Sequence, residues 1–298
     1  MVARKRLREA EDQKLDKAAE ALEASLFDRQ HEFFLSGRKK KLARCSRRAG
    51  KTHLSAVILL CTAIRFPGSL VPYITLSMKN ARRILWQTLH DLDVQFGVGL
   101  EFRANDLTAT LPNGSQIILA GATDYEEIQK LRGPRYGACV LDEVQSMKAS
   151  VCRTLVADIL EPATMDLDGT ICAFFTPSAS ASGYAFDIDH TEQAWERHHW
   201  TMLENPHLPR AAEWLEERKV ENGWSDDTAT FRREYLGEWI HDDETLVYAF
   251  NPSVNCSEAM PEGTLEQFVI GVDLGFVDAT AFCVLGFSDD APEVYVVH

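Results

Sequence analysis

The chain has 298 residues, of which 45% are hydrophobic, and a formal net charge of −14. No apolar run approaches the roughly 18–20 residues that a membrane-spanning helix needs, so no membrane association is expected. The seven cysteines are scattered and never spaced as C-x-x-C, which argues against a disulfide framework or a zinc site and favours reduced thiols in a cytosol.

Basic charge is concentrated at the start of the chain. Up to Lys51, 15 Lys and Arg face 8 Asp and Glu, and such a local patch can bind nucleic acid even in an acidic protein. Residues 1–26 alternate charges with Ala and Leu, which predicts an exposed helical arm. A solvated helix face explains the charges from Arg4 to Lys17 at least as well. The charges are not followed by an apolar core, so no secretory signal is predicted.

In the next part of the chain, apolar segments that predict strands are separated by segments that predict helices. This alternation indicates a largely parallel sheet with helices on both faces. We predict strands over 41–46, 70–77, 136–143 and 169–178, helices from Lys51 and over 80–95, and a hairpin over 107–122 around Pro112-Asn113-Gly114. Ligand sites of such sheets lie at the carboxyl ends of the strands. The unusual segments 46–52, 142–143 and 176–178 all fall on that edge.

After residue 205 the pattern becomes helical and aromatic. Residues 241–267 are polar, and the pattern over 268–287 predicts two strands around a turn.

Residues 45–52, CSRRAGKT, form what we call the phosphate loop. A phosphate-binding loop (Walker A) is normally G-x-x-x-x-G-K-[ST], and here Cys45 stands in place of the first glycine. Gly50 allows close backbone approach, Lys51 supplies a charge to the phosphates, and the Thr52 hydroxyl can ligate Mg²⁺. By itself the motif is equally explained by an ordinary strand–helix turn. The residues expected to contact ATP in the loop are Cys45, Ser46, Arg47, Arg48, Ala49, Gly50, Lys51 and Thr52.

A pair of carboxylates ends the apolar segment ACVLDE, about ninety residues after the loop. A nucleotide hydrolase needs a carboxylate for magnesium (Walker B) and a base beside it, roles that Asp142 and Glu143 can fill. A helix N-cap explains this pair alone but not both motifs. Together they predict an ATPase of the additional-strand, catalytic-glutamate type.

The two arginines of the loop have a role in that chemistry. An arginine on the γ-phosphate can accelerate hydrolysis by about 10³–10⁵, and we favour Arg47 as this finger, acting in cis. The alternatives are that Arg47 and Arg48 only bind phosphate in the ground state or pair with a carboxylate.

In order and spacing these segments resemble the large terminase subunit of tailed bacteriophages, the motor and nuclease of DNA packaging. CSRRAGKT is similar to its deviant phosphate loop. LPNGSQIILAGA with IQKLRGPRYGACVLDE resembles its hairpin, Leu-Arg-Gly segment and acidic strand. FFTPS is similar to its coupling motif, NPHLP with FRREYLGEW to its lid, and VDLGFVDATAF to the first strand of its RNase H-like nuclease. The resemblance covers roughly residues 28–287.

The resemblance implies a P-loop NTPase fold, α/β with a mostly parallel sheet flanked by helices, a small helical lid subdomain and the start of an RNase H-like nuclease domain. The implied segments are an N-terminal helical arm (1–27), the P-loop ATPase core (28–204), the lid (205–240), a linker (241–267) and the beginning of the nuclease domain (268–298).

Further site residues follow from the resemblance. Gln30 would contact adenine, or be a surface glutamine. Arg132 would be a finger reaching a neighbouring subunit's ATP, or an ordinary helix-end arginine. Thr176 would sense hydrolysis and pass it to the lid, or simply end a strand. Asp273 would be the first metal-binding carboxylate of the nuclease. Two-metal cleavage needs several carboxylates and the later ones are absent, so we do not expect this polypeptide to cleave DNA.

Other patterns are given structural interpretations. His198 and His199 would point to opposite faces of a strand and so would not form a metal pair. Asp187, Asp189 and His190 are expected in a solvated turn. Core packing is favoured over base stacking for Trp195, Trp200, Trp214, Trp224 and Trp239.

The implied function is ATP-driven translocation of double-stranded DNA into a procapsid by a ring of subunits on the portal protein, in the host cytoplasm. The cofactors would be ATP and Mg²⁺, with Mg²⁺ or Mn²⁺ at the nuclease site of a full-length form. The N-terminal arm would dock the small terminase subunit. The alternatives are a superfamily 2 helicase-like DNA-dependent ATPase and a nucleotide-binding scaffold that does not hydrolyse.

Overall fold

The computed structural model describes residues 2–240, 267–273, 281–288 and 294–296. Contacts divide the chain into two units, Met1–Asp242 and Asp243–His298, and each is described by itself. All but the last residue of the predicted linker 241–267 lies outside the described residues. The predicted boundaries of the arm, core, lid and nuclease segments stay predictions.

The first unit is built on one sheet of eight strands. These are β1 (Lys40–Cys45), β2 (Leu70–Thr75), β3 (Glu101–Arg103), β4 (Thr108–Thr110), β5 (Gln116–Gly121), β6 (Ala138–Asp142), β7 (Thr170–Phe175) and β8 (Glu196–Trp200). Their order is β3-β4-β5-β2-β6-β7-β1-β8. The six strands from β5 to β8 are parallel, whereas β3 and β4 add an antiparallel edge.

This topology confirms the predicted fold class. β7 lies between β1, which leads into the phosphate loop, and β6, which ends in the acidic pair, so it is the additional strand expected of this type of ATPase. The hairpin around Pro112-Asn113-Gly114 forms between β4 and β5. The predicted strands and the helix over 80–95 are found with ends shifted by a few residues, but β3 was not predicted.

The helices of the first unit cover both faces of the sheet. They are α1 (Val2–Ala24), α2 (Asp28–Leu35), α3 (Lys51–Arg65), α4 (Met78–Ala81), α5 (Gln87–Phe96), α6 (Tyr125–Gln129), α7 (Ala149–Thr154), α8 (Glu161–Thr164), α9 (Tyr184–His190), α10 (Ala211–Asn222) and α11 (Ala229–Leu236). A π-helical turn, Arg82–Trp86, joins α4 to α5, and a second, Leu155–Leu160, joins α7 to α8.

Two apolar cores, one on each face, fix the sheet between these helices. β6 is buried along its whole length, as expected of a central parallel strand covered by helices on both faces. The buried side of α3 includes Leu54, Leu59 and Leu60. Burying a side chain of this size contributes roughly 1.5–3 kcal/mol, so the two cores hold the strand ends at fixed positions.

The expectation of an exposed N-terminal arm is wrong. Leu15, Ala18 and Leu22 are buried in the core that includes α3, and Cys61 of α3 contacts the carbonyl oxygen of Ala19 at 3.8 Å. These spacings of three and four residues put the apolar side chains on one face of α1. The arm is therefore an amphipathic helix packed on α3.

The expectation of a solvated turn at Asp187, Asp189 and His190 is also wrong, because all three lie in α9. The Asp189 side chain is 8% exposed and pairs with Arg44 at 3.0 Å. It also accepts a hydrogen bond of 2.7 Å from the indole N–H of Trp239. Burial of this carboxylate is tolerated because both a cation and a donor compensate its charge.

The histidine pair and the tryptophans that were given structural interpretations can be located on the fold. His198 and His199 are adjacent in β8, and in the described part of the chain no cluster of His, Cys, Asp or Glu has the arrangement of a metal site. Trp195 and Trp200 are fully buried as predicted, whereas Trp214 is 38% exposed. Trp224 packs against Tyr235 and Trp239 against Phe175. No described helix could span a membrane.

The second unit contains three described strands. β9 (Gln267–Asp273) pairs antiparallel with β10 (Ala281–Phe287), which pairs antiparallel with β11 (Val294–Val296). The two strands predicted within 268–287 are therefore present. Asp273 is the last residue of β9 and is exposed. Its predicted role in a nuclease stays a prediction.

Candidate active site

The phosphate loop connects the end of β1 to the start of α3, so its backbone N–H groups lie at a helix N-terminus, where anions are favoured. Gly50 has a φ of 82° and Arg48 a φ of 59°, so the tight bends lie in the second half of the loop. Cys45 is the buried last residue of β1 and has no positive φ, which explains why glycine is not required there. Burial raises the pKa of its thiol to about 12, so this cysteine is a neutral packing residue.

Lys51 links the loop to a second strand end. Its ammonium group donates hydrogen bonds of 2.9 Å to the carbonyl oxygen of Ser46 and to the hydroxyl of Thr176. Thr176 follows β7, the strand next to β1, so sheet topology brings together two residues that are 125 apart in sequence. The structure thus places the predicted coupling residue against the predicted phosphate-binding lysine.

Gln30 supports the loop from the side of α2. It is 2% exposed, and its amide nitrogen donates to the carbonyl oxygen of Gly50 at 2.9 Å. The alternative that Gln30 is a surface glutamine is therefore wrong. Its contact with adenine stays a prediction.

Asp142 and Glu143 occupy different environments although they are adjacent. Asp142 is 2% exposed and accepts hydrogen bonds from the Tyr73 hydroxyl at 2.6 Å and from the backbone N–H of Glu143 at 2.9 Å. Burial, together with the charge of Glu143, raises the pKa of Asp142 to about 6. Glu143 has a left-handed backbone, with φ 56° and ψ 40°, and its carboxylate accepts a hydrogen bond from Gln145.

One cavity of about 1150 Å³, which we call the central cavity, opens at this edge of the sheet. Lys51, Thr52, Glu143 and Thr176 all line it, whereas Asp142 does not. Its volume is enough for a nucleotide, since small-molecule sites are typically about 300–1,000 Å³. Its other walls come from the helix after β2 and from the lid, including Asn80, Arg83, Leu208, Trp214, Arg233, Glu234 and Tyr235.

The lid contacts the phosphate loop directly. The backbone N–H of Arg47 donates to the carbonyl oxygen of Glu234 at 2.8 Å, and the Arg47 guanidinium pairs with the Glu234 carboxylate. That hydrogen bond raises the pKa of Arg47. Gly237, with φ 66°, lies so close to the loop that a Cβ atom there would be 3.1 Å from the Ser46 nitrogen. Of the possible roles of Arg47, pairing with a carboxylate is the one present in this structure.

Oxygen ligands suited to Mg²⁺ are present beside the cavity. Thr52 lines the cavity, and within the described residues its hydroxyl has no hydrogen-bond partner. Asp142, at the end of β6, is buried and does not line the cavity itself, but it is next in sequence to the cavity-lining Glu143. Hydroxyl, carboxylate and phosphate oxygens are the ligands that Mg²⁺ prefers, usually with several waters, so these residues fit a Mg²⁺–nucleotide complex.

Several predicted residues of the first unit do not line the cavity, namely Gln30, Cys45, Ser46, Arg132 and Asp142, and several cavity residues were not predicted. Arg132 is exposed after α6 and does not line the central cavity. Arg83, Gln145 and Glu234 line the cavity without having been singled out. The sequence gives little indication of them, because each is an ordinary residue of a helix or turn whose position depends on tertiary packing.

Comparison with known families decides which protein class this arrangement belongs to. A family model for the N-terminal part of the terminase large subunit, T4likevirus-type, matches residues 42–251. This chain belongs to that terminase family. The predicted resemblance is thereby confirmed. No curated protein sequence matches this terminase chain.

Solved terminase structures share its fold. The ATPase domain of the Thermus phage P74-26 large terminase is 20% identical, with a TM-score of 0.55, and the match covers 72% of this chain and 94% of that domain. The large terminase of a thermophilic bacteriophage, solved in complex with ADP, is 18% identical, with a TM-score of 0.58, over 88% of this chain and 66% of that one. The HK97 bacteriophage large terminase is 18% identical, with a TM-score of 0.57, over 89% of this chain and 61% of that one. The chain therefore spans less than two thirds of the length of the last two terminases.

Proposed function

We propose that this terminase chain binds ATP with Mg²⁺ and hydrolyses it to ADP and phosphate, as the ATPase of a motor that moves double-stranded viral DNA into a procapsid. The observation that carries the proposal is the shared cavity. Lys51, Glu143 and Thr176 come from three different strand ends and line one space at the carboxyl edge of the sheet. The large terminase of the thermophilic bacteriophage was solved in complex with ADP and with ATP-gamma-S, which supports nucleotide binding by this fold.

Each residue has a defined part in the proposed hydrolysis. The loop backbone and the Lys51 ammonium bind the phosphates. Thr52 and Asp142 would hold Mg²⁺, which when bound neutralises charge on the phosphate oxygens. Glu143 orients the attacking water and accepts its proton while the water oxygen bonds to the γ-phosphorus. The bond from that phosphorus to the ADP oxygen then breaks.

A chain of hydrogen bonds supports coupling of hydrolysis to lid movement. Thr176 contacts Lys51, Lys51 contacts the Ser46 carbonyl, and the Ser46 hydroxyl accepts from the backbone N–H of Met202 at 2.8 Å. Met202 is part of the small apolar core of the lid region. A phosphate arriving at Lys51 would therefore compete with contacts that continue towards the lid.

The partners follow from the proposed motor. Double-stranded DNA would be held by its backbone, which carries no sequence information, and the subunits would form a ring on the portal protein, with Arg132 supplied to a neighbour's ATP. The small terminase subunit would dock on the charged face of α1, because its apolar face is already packed. The assembly would work in the host cytoplasm, transiently on the procapsid. Cleavage of the DNA would be a second activity of the terminase, with Asp273 as one metal ligand.

The test is ATP hydrolysis by the purified chain, with and without double-stranded DNA, single-stranded DNA and portal-bearing procapsids. We expect Lys51→Ala to lose nucleotide binding, and Glu143→Gln to keep binding but lose hydrolysis. Glu126→Gln, at an exposed position of α6, is the matched control and should behave as wild type. Unwinding with stimulation by single strands alone would instead identify a helicase. Binding of ATP with no turnover in the wild type would identify a scaffold.

A further inference from the structure

Arg83 lies in the wall of the central cavity that is formed by the helical stretch after β2. It belongs to the π-helical turn Arg82–Trp86, within one continuous helical stretch that follows β2. It lines the same cavity as Lys51, Thr52 and Glu143. π-Helical turns are rare and occur often at functional sites, because the extra residue re-aims a side chain at a cost in regular hydrogen bonding.

The arginines of the cavity differ in their partners. Arg47 and Arg233 both pair with Glu234, the latter at 3.3 Å. Within the described residues the side chains of Arg83 and of Arg48 in the phosphate loop have no hydrogen-bond or ion-pair partner, and neither has that of the neighbouring Arg82. Arg83 is thus a cavity cation with no protein counterion among those residues, in a chain whose net charge is −14. A fixed charge of this kind is suited to an anionic ligand.

The strand order indicates which part of a nucleotide Arg83 can reach. β6 lies between β2 and β7, with β1 beyond β7. Glu143, which follows β6, therefore lies between the helix that carries Arg83 and the loop that carries Lys51. The group expected beside Glu143 is the terminal phosphate, where water attacks.

We propose that Arg83 contacts the terminal phosphate of bound ATP from the β2 side, in the same subunit, and stabilises the charge that develops there during hydrolysis. The proposal rests on the proposed ATPase function. ADP lacks this phosphate, so Arg83 would distinguish ATP from ADP. It would act without a neighbouring subunit, in contrast to the role predicted for Arg132.

The experiment compares Arg83→Ala and Arg83→Lys with Arg82→Ala, which removes an adjacent exposed arginine that does not line the cavity. Affinities for ADP and ATP-γ-S, and single-turnover ATP hydrolysis with and without double-stranded DNA, are measured on the full chain. Since an arginine finger contributes about 10³–10⁵ in rate, we expect Arg83→Ala to slow hydrolysis at least ~100-fold and to weaken ATP-γ-S binding. ADP affinity should stay unchanged. Arg83→Lys should recover part of ATP-γ-S binding, and Arg82→Ala should match wild type.

Three results would overturn the proposal. Arg83→Ala could behave like Arg82→Ala, could lose ADP and ATP-γ-S affinity equally, as a structural residue would, or could lose only the stimulation by DNA, as a DNA contact would. These outcomes differ from failure of the ATPase function itself, in which the wild-type chain neither binds nor hydrolyses ATP.

Discussion

Arg47 of the phosphate loop is held by Glu234 of the lid through both its backbone and its side chain, across 187 residues of sequence. The Arg47 guanidinium is 67% exposed and the Glu234 carboxylate 20%, so the pair is partly screened by solvent. Arg47 also lines the central cavity. Glu234 therefore competes with any phosphate that Arg47 could bind.

Removing this competitor should strengthen ATP binding. An ion pair exposed to this degree contributes about 0.2–1 kcal/mol, so Glu234→Gln should raise the affinity for ATP-γ-S by up to about fivefold. Titration calorimetry measures the effect. Glu217→Gln, on the same lid but paired with Arg210, should leave the affinity unchanged. Weaker binding in Glu234→Gln would show that the contact supports the loop instead of competing with phosphate.

Gly50 is required for two separable reasons. Its φ is +82°, and a Cβ atom there would lie 2.6 Å from the Gln30 amide nitrogen. Gly68 has a similar φ of +75° but open space around it. Both Ala variants should lose about 1–2 kcal/mol of stability from backbone strain, but only Gly50→Ala should displace Gln30 and impair nucleotide binding. Urea unfolding and nucleotide titration separate the effects, and equal affinities in the two variants would refute this account.

The predictable parts of the site are those specified by contiguous sequence. The phosphate loop and the Asp142–Glu143 pair each follow an apolar strand, so pattern alone places them on one edge of the sheet. Tyr73 and Glu234 could not be found this way. Tyr73 is one residue in a buried strand, and its hydrogen bond to Asp142 depends on β2 and β6 being neighbours.

The expectations of an exposed arm and of a solvated turn are wrong for the same physical reason. In both cases the expectation treats charged side chains as a sign of exposure to solvent. The many charges of α1 suggest exposure, although the spacing of Leu15, Ala18 and Leu22 already predicts one buried face. Solvation is the expectation for Asp189 because a carboxylate is costly to bury. Its compensating partner Arg44 lies in a distant strand, which local sequence does not reveal.

Glu143 has a left-handed backbone that a non-glycine residue adopts at a cost of about 1–2 kcal/mol. Such strain is often found at functional residues. Glu143→Gly should therefore be more stable than Glu143→Ala by about 1 kcal/mol, and both should be inactive. At Glu126, which lies in α6, we expect the opposite order of stability. Glu126→Gly should be less stable than Glu126→Ala, because glycine destabilises a helix by about 0.5–1 kcal/mol relative to alanine. Denaturant unfolding of the four variants measures both differences, and an Ala variant at position 143 as stable as the Gly variant would contradict the strain.

Lys41 connects the sheet to the helix that supports the phosphate loop. It is 3% exposed, and its ammonium donates to carbonyl oxygens at the end of α2, those of Phe33 at 2.6 Å and Ser36 at 3.1 Å. Lys41→Met leaves these acceptors unpaired, so we expect the free energy of unfolding to fall by about 2–3 kcal/mol. Nucleotide affinity should fall as well, because α2 carries Gln30, which holds Gly50.

The adjacent lysine is the control for this change. Lys40 pairs with Glu161 at 2.8 Å, and the Glu161 side chain is 45% exposed. Lys40→Met should therefore cost no more than about 1 kcal/mol and should leave nucleotide binding unchanged. Urea unfolding gives the two stabilities and titration with ATP-γ-S the two affinities. Equal losses in both variants would mean that the Lys41 contacts to α2 neither stabilise the fold specifically nor position the loop.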